Sequence, residues 1–204
     1  MISVIKTITF DFGGVLYSYD SRPLMIAIAN NSTASVTEIV DKLSESQLDR
    51  AHFCGELKTS ELLNLLQDEI GLSMTEEELA DTYARCVSPN EGLFQLVETL
   101  YPNYNLQLFS DTPKILYDHV MTEMPIFEYF SALTLSFEIG RLKDSLDGYY
   151  DMISKSCHSP EEIVFIDDKE EYTNTATELG VNGITYSDTE KLRNELKQLE
   201  VKLS

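Results

Sequence analysis

Side chains capable of phosphate chemistry follow several apolar, strand-like stretches of this chain. They are Asp11, the Ser110–Asp111 pair, Lys143 and the Asp167–Asp168 pair. A carboxylate can attack phosphorus, and neighbouring carboxylates can hold Mg²⁺ with it, because that ion prefers oxygen ligands. A hydroxyl and a lysine can bind the remaining phosphate oxygens and offset charge in the transition state. These residue types predict metal-assisted phosphoryl transfer if the fold brings them together.

Two glycines follow Asp11 in the stretch "IKTITFDFGGVLY". Because they lack side chains, Gly13 and Gly14 let the backbone approach an anion closely and present N–H groups to it. Plainer explanations exist for single features, since an aspartate at a strand end is usually a turn residue or a helix cap. The adjacent acids Asp167 and Asp168 are harder to explain in that way, because they repel each other and gain most from a bound cation.

Strand-like runs and helical patterns alternate after about residue 90 and must position these side chains. The strands are expected at 105–111, 132–137, 162–167 and 181–186, and the helices at 113–124, 147–157, 170–180 and 189–200. Strands separated by helices of about 10–15 residues predict right-handed βαβ units on a parallel sheet. Ligands bind beyond the carboxyl ends of such strands, so the candidate residues are expected at one edge of the sheet.

Residues 18 to about 90 show helix signals and no convincing strand. Ser35 to Glu38 and Thr75 to Glu78 follow the capping-box pattern that begins a helix. The stretch from Thr59 or Ser60 is expected to be helical and to stop at Gly71. An all-helical block therefore interrupts the α/β alternation after the first strand.

Length and composition limit the class of protein. The 204 residues suit one domain, or one domain with an insert, and 43% of them are apolar. The formal net charge of −20 predicts repulsion of nucleic acid and of anionic membranes. The three scattered cysteines are expected to be reduced, and the lack of a leader-like or membrane-spanning pattern predicts a cytoplasmic protein.

The quoted motifs resemble those of the haloacid dehalogenase-like (HAD) hydrolases with a helical cap inserted after the first strand. "FDFGGVLY" is similar to the first motif of that superfamily and "LQLFSDT" to the second, while "SFEIGRLK" is similar to the third and "VFIDDKEEYTNTATELG" to the fourth. The similarity extends over essentially the whole chain. It implies an α/β fold, a Rossmann-like parallel sheet of order 3-2-1-4-5. It also implies a hydrolase core over residues 1–17 and 91–204 and a helical cap over 18–90.

The resemblance also implies roles for the candidate residues. Asp11 would attack phosphorus and become an aspartyl-phosphate, while Gly13, Gly14, Ser110, Asp111 and Lys143 would bind the phosphate. Mg²⁺ would be held by Asp11, the backbone carbonyl of Gly13, and the Asp167–Asp168 pair. The implied function is a Mg²⁺-dependent phosphatase that hydrolyses a small phosphorylated metabolite.

The chain departs from that family at several positions. Gly13 stands where most of its phosphatases have an aspartate that acts as general acid and base, a role worth a factor of about 10²–10⁴ in rate. Tyr17, Tyr19 and Asp20 are candidate substitutes near the entry to the cap. Asp144 follows Lys143 where the family usually has proline, which predicts a looser loop.

Two alternatives remain open at the level of sequence. A 2-haloacid dehalogenase would use Asp11 to displace halide from carbon without a metal, but those relatives usually have an aromatic residue at the position of Gly13. They also lack the paired acids. A catalytically weakened binding protein with the same fold is the second alternative. Mg²⁺-dependent turnover of a phosphate ester separates them from a phosphatase.

Overall fold

The computed structural model describes residues 4–45 and 47–203 of the 204-residue chain. Its strands are β1 (Thr7–Phe10), β2 (Tyr17–Tyr19), β3 (Val87–Pro89), β4 (Asn105–Ser110), β5 (Ala132–Leu135), β6 (Ile163–Asp167) and β7 (Asn182–Thr185). Its α-helices are α1 (Arg22–Asn30), α2 (Val36–Glu45), α3 (Leu48–Phe53), α4 (Thr59–Ile70), α5 (Glu76–Cys86), α6 (Glu91–Leu100), α7 (Lys114–His119), α8 (Ser136–Ile139), α9 (Leu146–Ser156), α10 (Glu170–Glu178) and α11 (Thr189–Gln198). Short 3₁₀ turns cover Met121–Glu123, Pro125–Tyr129 and Pro160–Glu162.

Five parallel strands form the main sheet, in the order β5-β4-β1-β6-β7. Numbered along the chain within this sheet, the order is 3-2-1-4-5, which confirms the expected fold class. β1 lies in the middle, where Thr7 pairs with Asn105 on one side and Ile163 on the other. Every residue of β1 and β6 is buried, as expected for a parallel sheet with both faces covered.

Several predicted elements are shorter than expected, including one strand and one helix of the main sheet region. The strand expected at 132–137 ends at Leu135, and Ser136 already begins α8. The helix expected at 113–124 is α7 alone, which ends at His119 and is followed by 3₁₀ turns. Met124 is extended (φ −87°, ψ 121°) because it precedes Pro125, and a residue before proline is disfavoured from helical geometry.

A two-stranded antiparallel ribbon, β2–β3, corrects the expectation that residues 18–90 contain no strand. Tyr17 pairs with Pro89 and Tyr19 with Val87, so the ribbon joins the two ends of the intervening helical segment. Three-residue strands are too short to produce a readable alternation of apolar and polar residues. For that reason the ribbon is not visible in the sequence.

Helices α1 to α5 form this helical segment (residues 22–86). The Thr75 side chain accepts a hydrogen bond from the Glu78 N–H at 3.2 Å, which confirms the predicted capping box at α5. Helix α4 begins at Thr59 and ends before Gly71, whose φ of +65° is the left-handed cap that favours glycine. The division into hydrolase core and cap stays a prediction, and its residues 1–3, 46 and 204 lie outside the described residues.

Over the described ranges, 4–45 and 47–203, no helix has both the length and the apolar character that crossing a lipid bilayer requires. The three cysteines are free thiols, with Cys54 and Cys86 buried and Cys157 exposed. This agrees with the expectation of reduced cysteines.

Candidate active site

The sheet topology brings the predicted residues to one edge. Asp11 directly follows the central strand β1, while Ser110 ends one neighbouring strand and Asp167 ends the other. A cavity of about 320 Å³ opens at this edge. Among the residues that line it are Asp11, Gly13, Gly14, Asp111, Lys143 and Asp168. The parallel strands thus gather groups that are up to 157 positions apart in sequence, from Asp11 to Asp168.

Lys143 is the cation at the centre of this cluster. Its Nζ lies 2.8 Å from Asp11 Oδ1 and 2.6 Å from Asp167 Oδ2, and its side chain is only 1% exposed. Burial opposes a charge on the lysine, but Asp11 and Asp167 outweigh that effect and hold the pKa of Lys143 above its ordinary value. Lys143 therefore stays an ammonium group at neutral pH.

Aromatic rings surround the same ammonium group. Lys143 Nζ lies 5.1 Å from the ring centroid of Phe109 and 5.5 Å from the centroids of Phe165 and Tyr172. These rings exclude water and attract the cation through their quadrupoles. They hold the ammonium group in one place, so its position is set before any ligand binds.

The three carboxylates of Asp11, Asp167 and Asp168 form a candidate cation site. Ligand oxygens from all three lie within 4.8 Å of one another. Burial raises the pKa of Asp11 to about 7, although Lys143 counteracts the shift, and burial followed by the charge of Asp167 raises the pKa of Asp168. One ammonium group stands against three carboxylates, so a divalent cation would complete the balance of charge. The oxygen-only donor set fits Mg²⁺.

Position 14 requires a glycine for two reasons, its backbone conformation and the closeness of the Asp168 side chain. Its φ is +81°, and a Cβ placed on it would lie 2.5 Å from the Asp168 carboxylate. Gly13 is different, because its φ lies outside the positive range and the nearest atom to an added Cβ is the Tyr19 Cβ at 4.0 Å. The structure thus leaves room for a side chain at position 13.

Ser110 and Asp111, the pair at the end of β4, lie in two different environments. Ser110 is buried at the end of β4 and does not line the cavity. The Asp111 carboxylate accepts hydrogen bonds of 3.0 and 3.2 Å from the backbone N–H of Lys143. Asp111 therefore anchors the backbone that carries the lysine, in addition to facing the cavity.

The loop after Lys143 has a second contact at Asp144, while its expected looseness stays a prediction. Asp144 accepts hydrogen bonds of 2.6 and 3.0 Å from the Arg50 guanidinium of α3. Both side chains are about half exposed, and such pairs contribute about 0–1 kcal/mol. The pair connects the helical segment to the loop of the lysine.

Of the three candidates for the missing acid, Tyr19 is the one that lines the cavity. The ring of Tyr17 is buried and stacks on Phe12 with centroids 4.8 Å apart, and Asp20 forms an ion pair with Arg22 at 2.6 Å. Desolvation raises the pKa of Tyr19 to about 12, so its hydroxyl stays protonated at neutral pH. It can donate a hydrogen bond there but is a weak proton donor.

Several lining residues were not predicted. Lys169 and Tyr172 face the cavity from the start of α10, with Lys169 Nζ 4.9 Å from the centre of the Tyr172 ring. A lysine directly after two acids at a strand end was a usable signal for the first of them. Phe53 and Tyr83 enter from the helical segment, and no local pattern marks them.

Proteins that are similar to this chain in sequence and in fold are hydrolases, although no protein-family model matches the chain. A D-ribitol-5-phosphate phosphatase from Bacteroides thetaiotaomicron is 25% identical over 207 residues, covering 95% of this chain and 97% of that protein. The structure of a HAD-like family hydrolase from Porphyromonas gingivalis superposes with a TM-score of 0.83 at 25% identity. The superposition covers 98% of this chain and 100% of that chain.

A third similar protein has been solved with ligands. It is a HAD family enzyme from Bacteroides thetaiotaomicron in complex with magnesium and inorganic phosphate, with a TM-score of 0.78 at 21% identity. The match covers 90% of this chain and 94% of that one. Similarity along nearly the whole chain, in sequence and in fold, agrees with the order of the four motifs and with the strand order. These similarities support the assignment of this chain to the haloacid dehalogenase-like hydrolase superfamily.

Proposed function

We propose that this protein is a Mg²⁺-dependent phosphatase that hydrolyses a small phosphorylated metabolite through an aspartyl-phosphate on Asp11. The observation that carries the proposal is the buried contact of Lys143 with Asp11 and Asp167, beside a cluster of three carboxylates that fits a divalent cation. The similarity to a sugar-alcohol phosphatase and to an enzyme solved with magnesium and phosphate supports it. A cytoplasmic location and the absence of nucleic-acid or membrane partners stay predictions.

The nucleophile is oriented by contacts on one of its two oxygens. Asp11 Oδ1 accepts hydrogen bonds from Lys143 Nζ at 2.8 Å and from the backbone N–H of Phe12 at 2.7 Å. Oδ2 accepts no hydrogen bond from residues 4–45 or 47–203, so it is open to the reacting group. A carboxylate held in this way loses little further freedom when it attacks.

The reaction then proceeds in two displacements. An oxygen of Asp11 forms a bond to phosphorus while the bond from phosphorus to the ester oxygen breaks, and the leaving oxygen takes up a proton from solvent water. A water molecule next attacks phosphorus and the bond from phosphorus to Asp11 breaks. The proton of that water passes to the phosphate or to solvent, and inorganic phosphate leaves with the carboxylate restored. Lys143 offsets negative charge that develops during both steps.

A bound Mg²⁺ would neutralise charge on the phosphate oxygens and lower the repulsion between the phosphate and the acids. Asp11, Asp167, Asp168 and the backbone carbonyl of Gly13 would hold it. The phosphate itself would lie against Gly13, Gly14, Asp111 and Lys143. Ser110 does not line the cavity, so a contact with a phosphate oxygen requires the phosphate to lie deeper than the cavity described above.

The dehalogenase alternative is not favoured, because it gives no role to the clustered acids. A screen of phosphorylated metabolites for released phosphate, with and without Mg²⁺, tests the proposed function directly. Mg²⁺-dependent release from at least one ester is the expected result. If no ester is turned over, the binding-protein alternative replaces the phosphatase.

Replacing Asp168 by asparagine is expected to weaken Mg²⁺ binding at least about tenfold, because one of three clustered carboxylates loses its charge. In the wild type, Mg²⁺ at 100 times its dissociation constant should stabilise the fold by about 2.7 kcal/mol. Titration calorimetry and thermal unfolding measure both effects. Asp68→Asn is the matched control, since Asp68 is exposed on α4 away from the cluster. Equal Mg²⁺ affinity in the wild type and Asp168→Asn would contradict the metal site.

The missing acid at Gly13 predicts a steep dependence of the rate on the leaving group. Without a donor at position 13, the ester oxygen must leave with more negative charge, so aryl phosphates or sugar-1-phosphates should react faster than alkyl phosphates. Gly13→Asp is expected to accelerate alkyl esters by up to about 10²-fold, because the structure leaves room for the side chain. The measurement is kcat/KM across esters of graded leaving-group pKa. A flat dependence would mean that another group, such as Tyr19, already donates the proton.

A further inference from the structure

A second cavity, of about 430 Å³, lies within the helical segment. Its wall is formed largely by aliphatic and thioether side chains from α1, α4, α5 and the loop before α5. Among them are Leu24, Met25, Leu62, Leu66, Met74 and Leu79. The volume is in the range of about 300–1,000 Å³ that is typical of small-molecule sites.

This cavity adjoins the active cavity at three aromatic side chains, which are called the neck below. Tyr19, Phe53 and Tyr83 line both spaces, so the two cavities share one wall. Phe53 is tied to the start of α8, because its backbone carbonyl accepts a 2.7 Å hydrogen bond from Ser136 Oγ. A leaving group that passed between these three rings would enter the second cavity from the active site.

Charge is divided unequally between the two spaces. The active cavity is lined by three carboxylates and two lysines, whereas Asp49 is the one carboxylate among the described residues that line the second. Desolvation raises the pKa of Tyr19 to about 12 and raises that of Tyr83 as well, so both neck hydroxyls are uncharged at neutral pH. The active cavity thus fits a phosphate group with a divalent cation, and the second cavity fits an apolar group.

We propose that the substrate is a phosphate monoester whose leaving group carries an apolar part, and that this part occupies the second cavity. The inference rests on the proposed function and refines it by naming the class of leaving group. An apolar group there would be removed from water and would fill space beside Leu66 and Met74. A polyol in the same place would lose hydrogen bonds to water that the aliphatic wall cannot replace.

A series of 4-n-alkylphenyl phosphates, from methyl to hexyl, tests the proposal. The alkyl group changes the pKa of the phenol little, so chain length is varied separately from leaving-group chemistry. We expect kcat/KM to rise about fourfold per methylene until the cavity is full, which corresponds to about 0.8 kcal/mol for each buried CH₂. A flat or falling dependence on chain length would overturn the proposal.

Substitutions of residues that line the second cavity test where the alkyl chain of the ester binds. Leu66→Phe narrows the cavity and should reduce kcat/KM for the hexyl ester at least about tenfold, while phenyl phosphate is affected less than about twofold. Leu65→Phe is the matched control, because Leu65 is the adjacent residue of α4, is 38% exposed and does not line the cavity. If Leu66→Phe does not fold, Met74→Phe in the loop before α5 provides the same obstruction. Equal chain-length slopes in the wild type and the obstructed variant would refute this location.

Binding of the matching 4-n-alkylphenyl phosphonates, which cannot be hydrolysed, separates this inference from the proposed function. Calorimetry should show the same rise in affinity with chain length, and Leu66→Phe should abolish it. If affinity rises but no ester is turned over, the apolar site stands and the phosphatase does not. If esters are turned over but neither affinity nor kcat/KM responds to chain length, the phosphatase stands and this proposal is wrong.

Discussion

Asp11→Asn is expected to lower phosphate release by about 10⁴-fold or more while the protein stays folded. An amide oxygen is a poor nucleophile and cannot form the aspartyl-phosphate, so the loss should appear in kcat. The substitution preserves the shape of the side chain and the acceptor that receives the Phe12 N–H. Phosphate release under saturating substrate and Mg²⁺, together with circular dichroism of the variant, is the measurement.

Asp20→Asn provides the same chemical change at an acid outside the cavity, where Asp20 pairs with the exposed Arg22. That control should retain activity within about twofold. A wild-type rate in Asp11→Asn would rule out the covalent mechanism. Acid-quenched protein should carry phosphate in the wild type and none in the variant.

Lys143→Met is expected to have the largest effect on stability and also to reduce turnover by about 10²–10³-fold. The methionine keeps the length of the side chain but leaves Asp11 and Asp167 buried without their cation. Removing one partner of a buried ion pair costs about 3–5 kcal/mol, and removing one charge-stabilising donor accounts for the expected loss of rate. Denaturant unfolding in the absence of metal and phosphate release in its presence measure the two effects.

Mg²⁺ should restore part of the stability lost in Lys143→Met, because it supplies positive charge to the same carboxylates. Lys114→Met is the control, since Lys114 pairs with Asp118 on the surface and its side chain is 62% exposed. The control should change the free energy of unfolding by less than about 1 kcal/mol. An unchanged free energy of unfolding in Lys143→Met would mean that the buried lysine is not the counter-ion of the acids.

Much of the main sheet could be predicted from sequence because its signals are local. Most of the parallel strands are short runs rich in apolar or β-branched residues, and Asp11 and the Asp167–Asp168 pair stand at the ends of two of those runs. The positions of these acids at one edge then follow from the direction of the strands. The strand order needed the resemblance of the motifs to a known superfamily, since periodicity does not determine which strands are neighbours.

Short-range patterns were enough to predict the α/β class, the helical block after the first strand, and the acids and lysine of the candidate site. Contacts between distant segments became visible only in the folded chain: the β2–β3 ribbon, the pairing of Arg50 with Asp144, and the entry of Phe53 and Tyr83 into the cavity. The difference lies in the range of the interactions. Strand and helix patterns depend on neighbours within a few residues, whereas these contacts depend on how the helical segment packs over the sheet, and no short stretch of sequence records that packing.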